Sequence, residues 1–141
     1  MENKDENIIL KTNNLSIGYK TKKAVTIVAQ EINIALKKGS LIGLVGANGI
    51  GKSTLLRTLT NVQPKLSGTT SLNSKLLEDY SNIELAKTMS LVLTDTIASK
   101  NLTVFELVAL GRQPYTNWVG NLSENDLEIV NNALLQTNIN D

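Results

Sequence analysis

The sequence contains no cysteine and no histidine. Without cysteine there is no disulfide framework and no thiolate metal site. Without histidine there is no imidazole to act as general base, metal ligand or pH switch. No apolar run approaches the ~18 residues that a membrane span requires, and the N-terminal MENKDENIIL lacks the apolar region of a signal peptide. These absences predict a cytoplasmic location.

Positive and negative charges are nearly balanced, since the sequence has 14 Lys and Arg and 13 Asp and Glu, for a net charge of +1. A balanced charge of this kind offers no strongly basic surface, so no nucleic acid is expected as a partner. The length of 141 residues suits one domain. A chain of this size can bury about two-thirds of its unfolded surface, which allows a real core.

Strand patterns alternate with helix patterns along the chain, which predicts an α/β fold. Residues 8–19 and the alternating EINIAL are predicted strands. The continuous apolar runs LIGLV (41–45) and SLVL (90–93) are typical of strands buried on both faces. A helix is predicted after the glycine-rich loop, and three more begin at the capping residues Ser81, Thr103 and Ser123.

The main functional signal is GLVGANGIGKSTLLRTL, in which Gly46, Gly51, Lys52 and Ser53 fit G-x-x-x-x-G-K-[ST]. Glycines let successive backbone N–H groups point at an anion, and the helix that follows adds the positive potential of its N-terminus. Lys52 is the cation for the β- and γ-phosphates, and the Ser53 hydroxyl is a ligand for Mg²⁺. Thr54 can donate to a phosphate oxygen. The alternative is a glycine-rich turn with a solvated lysine.

The class of nucleotide enzyme is narrowed by other features. Tyr19 ends a strand upstream of the loop, where its ring can stack on adenine, although an ordinary strand tyrosine would look the same. Stacking uses the ring face and not the hydroxyl. No N-K-x-D guanine reader follows the loop, and Arg57 and Arg112 are too few for the lid of a nucleotide kinase.

Three stretches, LSIGYK, INIALKKGSLIGLVGANGIGKSTLLRTL and LTVFELVALGRQPYTNW, together resemble the ATP-binding subunit of an ABC transporter. The stretch TVFELVALGRQPY is most similar to importers of iron–siderophore complexes, haem or cobalamin. The resemblance implies a P-loop NTPase core with N-terminal strands and the start of a helical subdomain. It also implies ATP and Mg²⁺ as cofactors, a homodimer, a membrane permease as partner, and a peripheral position on the inner face of the membrane.

The resemblance assigns roles to particular residues. Tyr19 matches the family's adenine-stacking aromatic residue. The Walker A loop runs from Gly46 to Thr54 and includes Asn48 and Gly49. Thr94 stands where the family has a glutamine that contacts Mg²⁺ and the attacking water. A threonine is too short for the same reach, which leaves action through a water, or a shift of the role to Asp95, as the alternatives.

The same resemblance divides the chain into a nucleotide-binding core (about 1–93) and a glutamine-loop region with the beginning of the helical subdomain (about 94–141). GRQPYTNW falls where the family meets its permease, so Tyr115 and Trp118 are either interface aromatics or cover for the edge of the subdomain. The signature loop, the Walker B carboxylates and the switch histidine lie further on in the family. We therefore expect these 141 residues to be an N-terminal portion.

Two alternatives to a transport ATPase remain at this stage. LVLTD (91–95) superficially resembles a short Walker B strand, so Asp95 could hold Mg²⁺ in a different P-loop enzyme, such as a small kinase. The chain could also be an ATP-binding module that catalyses nothing.

Overall fold

The computed structural model describes residues 7–92, 101–117 and 119–139. The chain divides into two compact units, Met1–Leu91 and Val92–Asp141. Strands and helices are both present, which confirms the α/β prediction. In the described ranges no helix combines the length and the apolar character needed to cross a bilayer.

The first unit is built on an antiparallel sheet of five strands: β1 (Ile8–Lys20), β2 (Val25–Ile32), β3 (Ala35–Lys37), β4 (Ser67–Leu72) and β5 (Lys75–Leu76). The strand order is β2-β1-β4-β5, and β3 also pairs with β1. The long β1 is therefore the centre of the sheet. Its first half pairs with β3 and β4, and its second half pairs mainly with β2, with an irregularity between Asn13 and Ser16 on the β4 side.

Helices α1 (Lys52–Leu59) and α2 (Asn82–Thr88) and a 3-10 turn (Leu77–Asp79) complete this unit. Its buried core contains seven leucine and isoleucine side chains drawn from the sheet, both helices and the 3-10 turn, namely Leu10, Leu15, Ile17, Leu59, Leu72, Leu77 and Leu85. Burial of such side chains is the main force that holds α1 against the sheet, because an isolated eight-residue helix is not stable in water.

The second unit contains α3 (Val104–Ala109), a 3-10 segment (Leu110–Tyr115) and α4 (Glu124–Gln136). All three predicted capping residues begin their helices as expected. In each case the side-chain oxygen of the capping residue accepts a hydrogen bond from the backbone N–H three residues later. The capping residue's own backbone N–H donates to the carboxylate of that later residue, which completes a capping box at Ser81, Thr103 and Ser123. Val130 of α4 is buried, with 1% of its surface exposed.

The two predicted buried strands are not formed. Residues 41–47 have no strand structure, and the side chains of Leu41 and Val45 are 103% and 93% exposed. Residues 90–92 also lack strand structure, Val92 is 93% exposed, and Leu93 lies outside the described residues. A buried strand needs neighbouring strands to hydrogen-bond its backbone groups and other elements to cover both of its faces. No parallel strand pair exists in the described part of the chain, so these two runs have no such neighbours.

Candidate nucleotide-binding site

The glycine-rich loop begins at Gly46, near the end of the exposed 41–47 stretch, and leads into helix α1. It contains Gly46, Asn48, Gly49 and Gly51. Gly49 has φ +82° and Gly51 has φ +107°, values that side-chain-bearing residues rarely adopt. A Cβ on Gly51 would lie 2.4 Å from Cγ1 of Val28, whereas a Cβ on Gly49 would meet nothing within 4 Å. Gly51 is therefore required both for its backbone conformation and for the close approach of β2.

Lys52 folds back over the loop that precedes it. Its Nζ donates to the carbonyl oxygens of Gly46 at 2.6 Å and Ala47 at 2.8 Å. The ammonium group thus lies against the loop and is held by neutral acceptors. Phosphate oxygens are stronger acceptors for an ammonium group than carbonyl oxygens are, because they carry charge. The loop geometry therefore suits an exchange of these carbonyls for the oxygens of a bound phosphate.

The N-terminus of α1 adds to this positive environment. The first intrahelical bond runs from the N–H of Leu55 to the carbonyl of Gly51 at 2.9 Å, so the N–H groups before Leu55 have no partner in the helix. The first turn carries no acidic side chain to offset the helix dipole. Ser53 is exposed and Thr54 is buried. Ser53, the predicted Mg²⁺ ligand, is thus accessible from solvent, and its role stays a prediction.

Tyr19 contacts the same helix. Its hydroxyl lies 3.0 Å from Oγ1 of Thr54, within hydrogen-bonding distance, and the residue is 49% exposed. This contact joins residues 35 positions apart and was not predicted from the sequence. At the other end of α1, Nε2 of Gln63 donates to the carbonyl of Gly18 at 2.7 Å. The end of β1 is therefore bonded to the first turn of α1 through Thr54 and to the segment after α1 through Gln63.

Three of the predicted functional residues lie outside the described part of the chain, namely Thr94, Asp95 and Trp118. Their roles stay predictions. In residues 7–92, 101–117 and 119–139 no group of three or more His, Cys, Asp or Glu could hold a metal ion. Ser53 is the one Mg²⁺ ligand that the sequence assigns within the described residues, and this role stays a prediction.

In the GRQPY stretch of the second unit, Arg112 contacts both Tyr115 and Asp126. The guanidinium lies over the ring of Tyr115, 4.1 Å from its centroid, and bonds Oδ1 of Asp126 through Nε at 2.8 Å and Nη2 at 2.7 Å. The other carboxylate oxygen of Asp126 accepts from the Ser123 hydroxyl at 2.6 Å and from its backbone N–H at 3.0 Å. The Ser123 hydroxyl, then the Ser123 N–H and Arg112, lower the pKa of Asp126 to about 2.

Because the folded pKa of Asp126 is below its ordinary value of 3.8, its contribution to stability is present above that value and lost as the pH falls toward 2. We expect the unfolding free energy of Asp126→Asn to fall less between pH 4 and pH 2 than that of the parent chain. Urea unfolding followed by far-UV circular dichroism measures this difference. Asn132→Ala, which changes an exposed and uncharged side chain on the same helix, should keep the parent's pH dependence. Identical profiles for Asp126→Asn and the parent would contradict the assignment.

The sequence profile of the family described as ABC transporter matches residues 29–141. The chain therefore belongs to the ABC transporter family. Its fold is also found in solved structures. A dimeric ABC transporter cassette superimposes with a TM-score of 0.77 over 94% of this chain and 59% of that one, at 21% identity. The ABC ATPase fold predicted from the sequence is confirmed.

Two curated relatives are similar over most of the chain. An uncharacterized ABC transporter ATP-binding protein of Methanocaldococcus jannaschii is 42% identical over 123 residues, which are 86% of this chain and 41% of that protein. The iron(3+)-hydroxamate import ATP-binding protein FhuC of Bacillus subtilis is 35% identical over 128 residues, which are 91% of this chain and 46% of that protein. The chain spans about half the length of the curated relatives it matches.

Proposed function

We propose that this chain binds ATP with Mg²⁺ through the loop Gly46–Gly51 and the first turn of α1. The observation that carries the proposal is Lys52, whose ammonium group bridges the carbonyls of Gly46 and Ala47 inside the loop. A triphosphate placed there would meet this ammonium, the free N–H groups of α1 and the hydroxyls of Ser53 and Thr54. Mg²⁺ would be held by Ser53 together with phosphate oxygens, and it would neutralise part of the triphosphate charge.

Tyr19 is proposed as the stacking residue for adenine. About half of its surface is free, and its hydroxyl is tied to the helix that bears the phosphate-binding residues. The ring is therefore close to the phosphate site and still accessible to a base. Stacking on an aromatic ring contributes about 1–3 kcal/mol per base.

For the protein as a whole, we propose the ATPase subunit of an importer for iron–siderophore complexes or related metal chelates. The similarity to FhuC of Bacillus subtilis supports this substrate class. The subunit would dimerise, dock on the cytoplasmic side of a membrane permease and hydrolyse ATP to drive uptake. The predicted permease contact at GRQPYTNW includes Tyr115, which Arg112 and Asp126 hold in place.

Lys52→Ala tests the site. Removal of the ammonium group leaves the triphosphate without its main side-chain cation, and a charge-assisted hydrogen bond contributes about 1.5–3 kcal/mol. We expect at least a roughly tenfold loss of affinity for a fluorescent ATP analogue in the presence of Mg²⁺. The matched control is Lys38→Ala, which removes an exposed lysine outside the loop and should bind like the parent. Equal affinity for Lys52→Ala and the parent would refute the phosphate-loop assignment.

The substrate class has its own readout in cells that carry the whole transporter. Uptake of iron-59 from ferric hydroxamate should stop when the ATPase carries Lys52→Ala and continue with Lys38→Ala. Uptake of radiolabelled haem or cobalamin, but not iron–siderophore, would reject the siderophore assignment while leaving ATP binding intact.

A further inference from the structure

We propose that the Tyr19 hydroxyl is a positioning group that orients the Thr54 hydroxyl toward the phosphates of the bound nucleotide. The proposal rests on the proposed function and deepens it. Stacking gives Tyr19 a role through its ring face alone. The 3.0 Å contact with Thr54 gives the hydroxyl a second role, in phosphate recognition.

The hydroxyl of Thr54, in the first turn of α1, is bonded differently from those of the two threonines at the C-terminal end of the helix. Thr58 and Thr60 donate to the carbonyl oxygens four residues earlier, at 2.8 and 2.9 Å, as helical threonines commonly do. The Thr54 hydroxyl makes no such bond, and in the described part of the chain its partner is Tyr19. Thr54 is only 6% exposed, so a hydroxyl left without this partner would be poorly solvated.

The direction of the two hydrogen bonds follows from the chemistry of the groups. A hydroxyl has one proton to donate and two lone pairs that accept. A phosphate oxygen only accepts, so a nucleotide next to Thr54 requires the Thr54 proton. Tyr19 must then donate to Thr54 Oγ1 while Thr54 donates to the phosphate. Hydrogen bonds in such a chain polarise and strengthen one another.

The position of Tyr19 is itself fixed by its surroundings. Gln63 donates to the carbonyl of Gly18, the residue before Tyr19, at 2.7 Å. Tyr19 also pairs with Thr26 across the β1–β2 ladder. With its backbone held on two sides and its hydroxyl bonded to α1, the ring has little freedom to turn. The adenine-stacking ring and the phosphate-binding turn therefore form one connected unit.

The test is a double-mutant cycle with Tyr19→Phe, Thr54→Val and the double variant, titrated with Mg-ATP and with Mg-tripolyphosphate, which has no base. A hydrogen bond contributes about 0.5–1.5 kcal/mol, so Tyr19→Phe should weaken both ligands by about two- to tenfold. On the Thr54→Val background the same change should have no effect, because the acceptor is gone. Thr54→Ser keeps the hydroxyl and should retain the effect of Tyr19→Phe even if Thr54→Val fails to fold.

Other results would overturn the inference in distinguishable ways. If Tyr19→Phe binds both ligands like the parent while Tyr19→Ala loses affinity for Mg-ATP, the ring stacks and the hydroxyl has no role. Tighter binding by Tyr19→Phe would mean that the Tyr19–Thr54 bond must break for the nucleotide to bind. Failure of the parent chain to bind Mg-ATP would refute the proposed function, and this inference with it.

Discussion

Phosphate release from Mg-ATP by the purified chain of residues 1–141 is expected to stay near the uncatalysed rate. Positioning and electrostatic stabilisation supply almost all of the rate enhancement in phosphoryl transfer. The sequence has no histidine, and Thr94 stands at the position predicted for the water-contacting glutamine. The described residues include the proposed phosphate loop and the Ser53 hydroxyl, but among them there is no carboxylate cluster for the metal. ATP binding without turnover is therefore the expected behaviour of this portion.

A colorimetric phosphate assay checks this expectation, with Lys52→Ala as the control for contaminating ATPases. Activity that persists in Lys52→Ala would come from a contaminant. Steady turnover that disappears in both Lys52→Ala and Asp95→Asn would contradict the expectation. It would favour the alternative enzyme in which Asp95 holds the metal.

Gly51→Ala is expected to weaken Mg-ATP binding by at least about thirtyfold relative to the parent chain. This loss is larger than the one expected for Lys52→Ala. A residue with a side chain held at φ +107° stores strain on the order of 1–3 kcal/mol. The new methyl group would also lie 2.4 Å from Cγ1 of Val28, a β-branched side chain fixed in strand β2. Movement of the loop relieves both, and it takes the loop N–H groups and Lys52 away from their present positions. Titration with the fluorescent ATP analogue measures the loss.

Two matched variants separate the strain from the collision. Gly49→Ala also places a side chain at positive φ, +82°, but meets nothing within 4 Å, so its loss should be much smaller. Val28→Ala combined with Gly51→Ala removes the atom that collides and should recover part of the affinity. Equal losses in Gly49→Ala and Gly51→Ala would show that contact with Val28 has no part in shaping the loop. A thermal melt of each variant distinguishes loss of binding from loss of folding.

The features that the sequence predicted are those set by neighbouring residues. The capping boxes at Ser81, Thr103 and Ser123 need partners only three positions away, and all three form. The pattern that predicts a phosphate loop is likewise local, since the glycines and Lys52 lie within a few residues of each other, and phosphate binding there stays a prediction. For the same reason the family and its fold were recognisable from short stretches.

The features that were missed depend on distant residues. Leu41–Val45 has the composition of a buried strand, yet whether it forms one depends on neighbouring strands that the described residues do not supply. The Tyr19–Thr54 bond spans 35 positions, and no pattern in the sequence indicates which hydroxyl a strand tyrosine will meet. The stacking of Arg112 on Tyr115 and its ion pair with Asp126 could be seen only in the folded second unit, because α4 supplies Asp126.

The exposed 41–47 stretch has a consequence for how the first unit is held together. It is the covalent connection between β1–β3, which carry Tyr19, and α1, which carries Lys52. The two sides also meet through the ladder that pairs Leu10 with Leu72 and Ser16 with Ser67. A protease that cut the exposed stretch would yield two peptides, one with Tyr19, proposed to stack on the base, and one with Lys52, proposed to bind phosphate. If the β1–β4 ladder kept the two peptides together, a nucleotide bound as proposed would bridge the two halves.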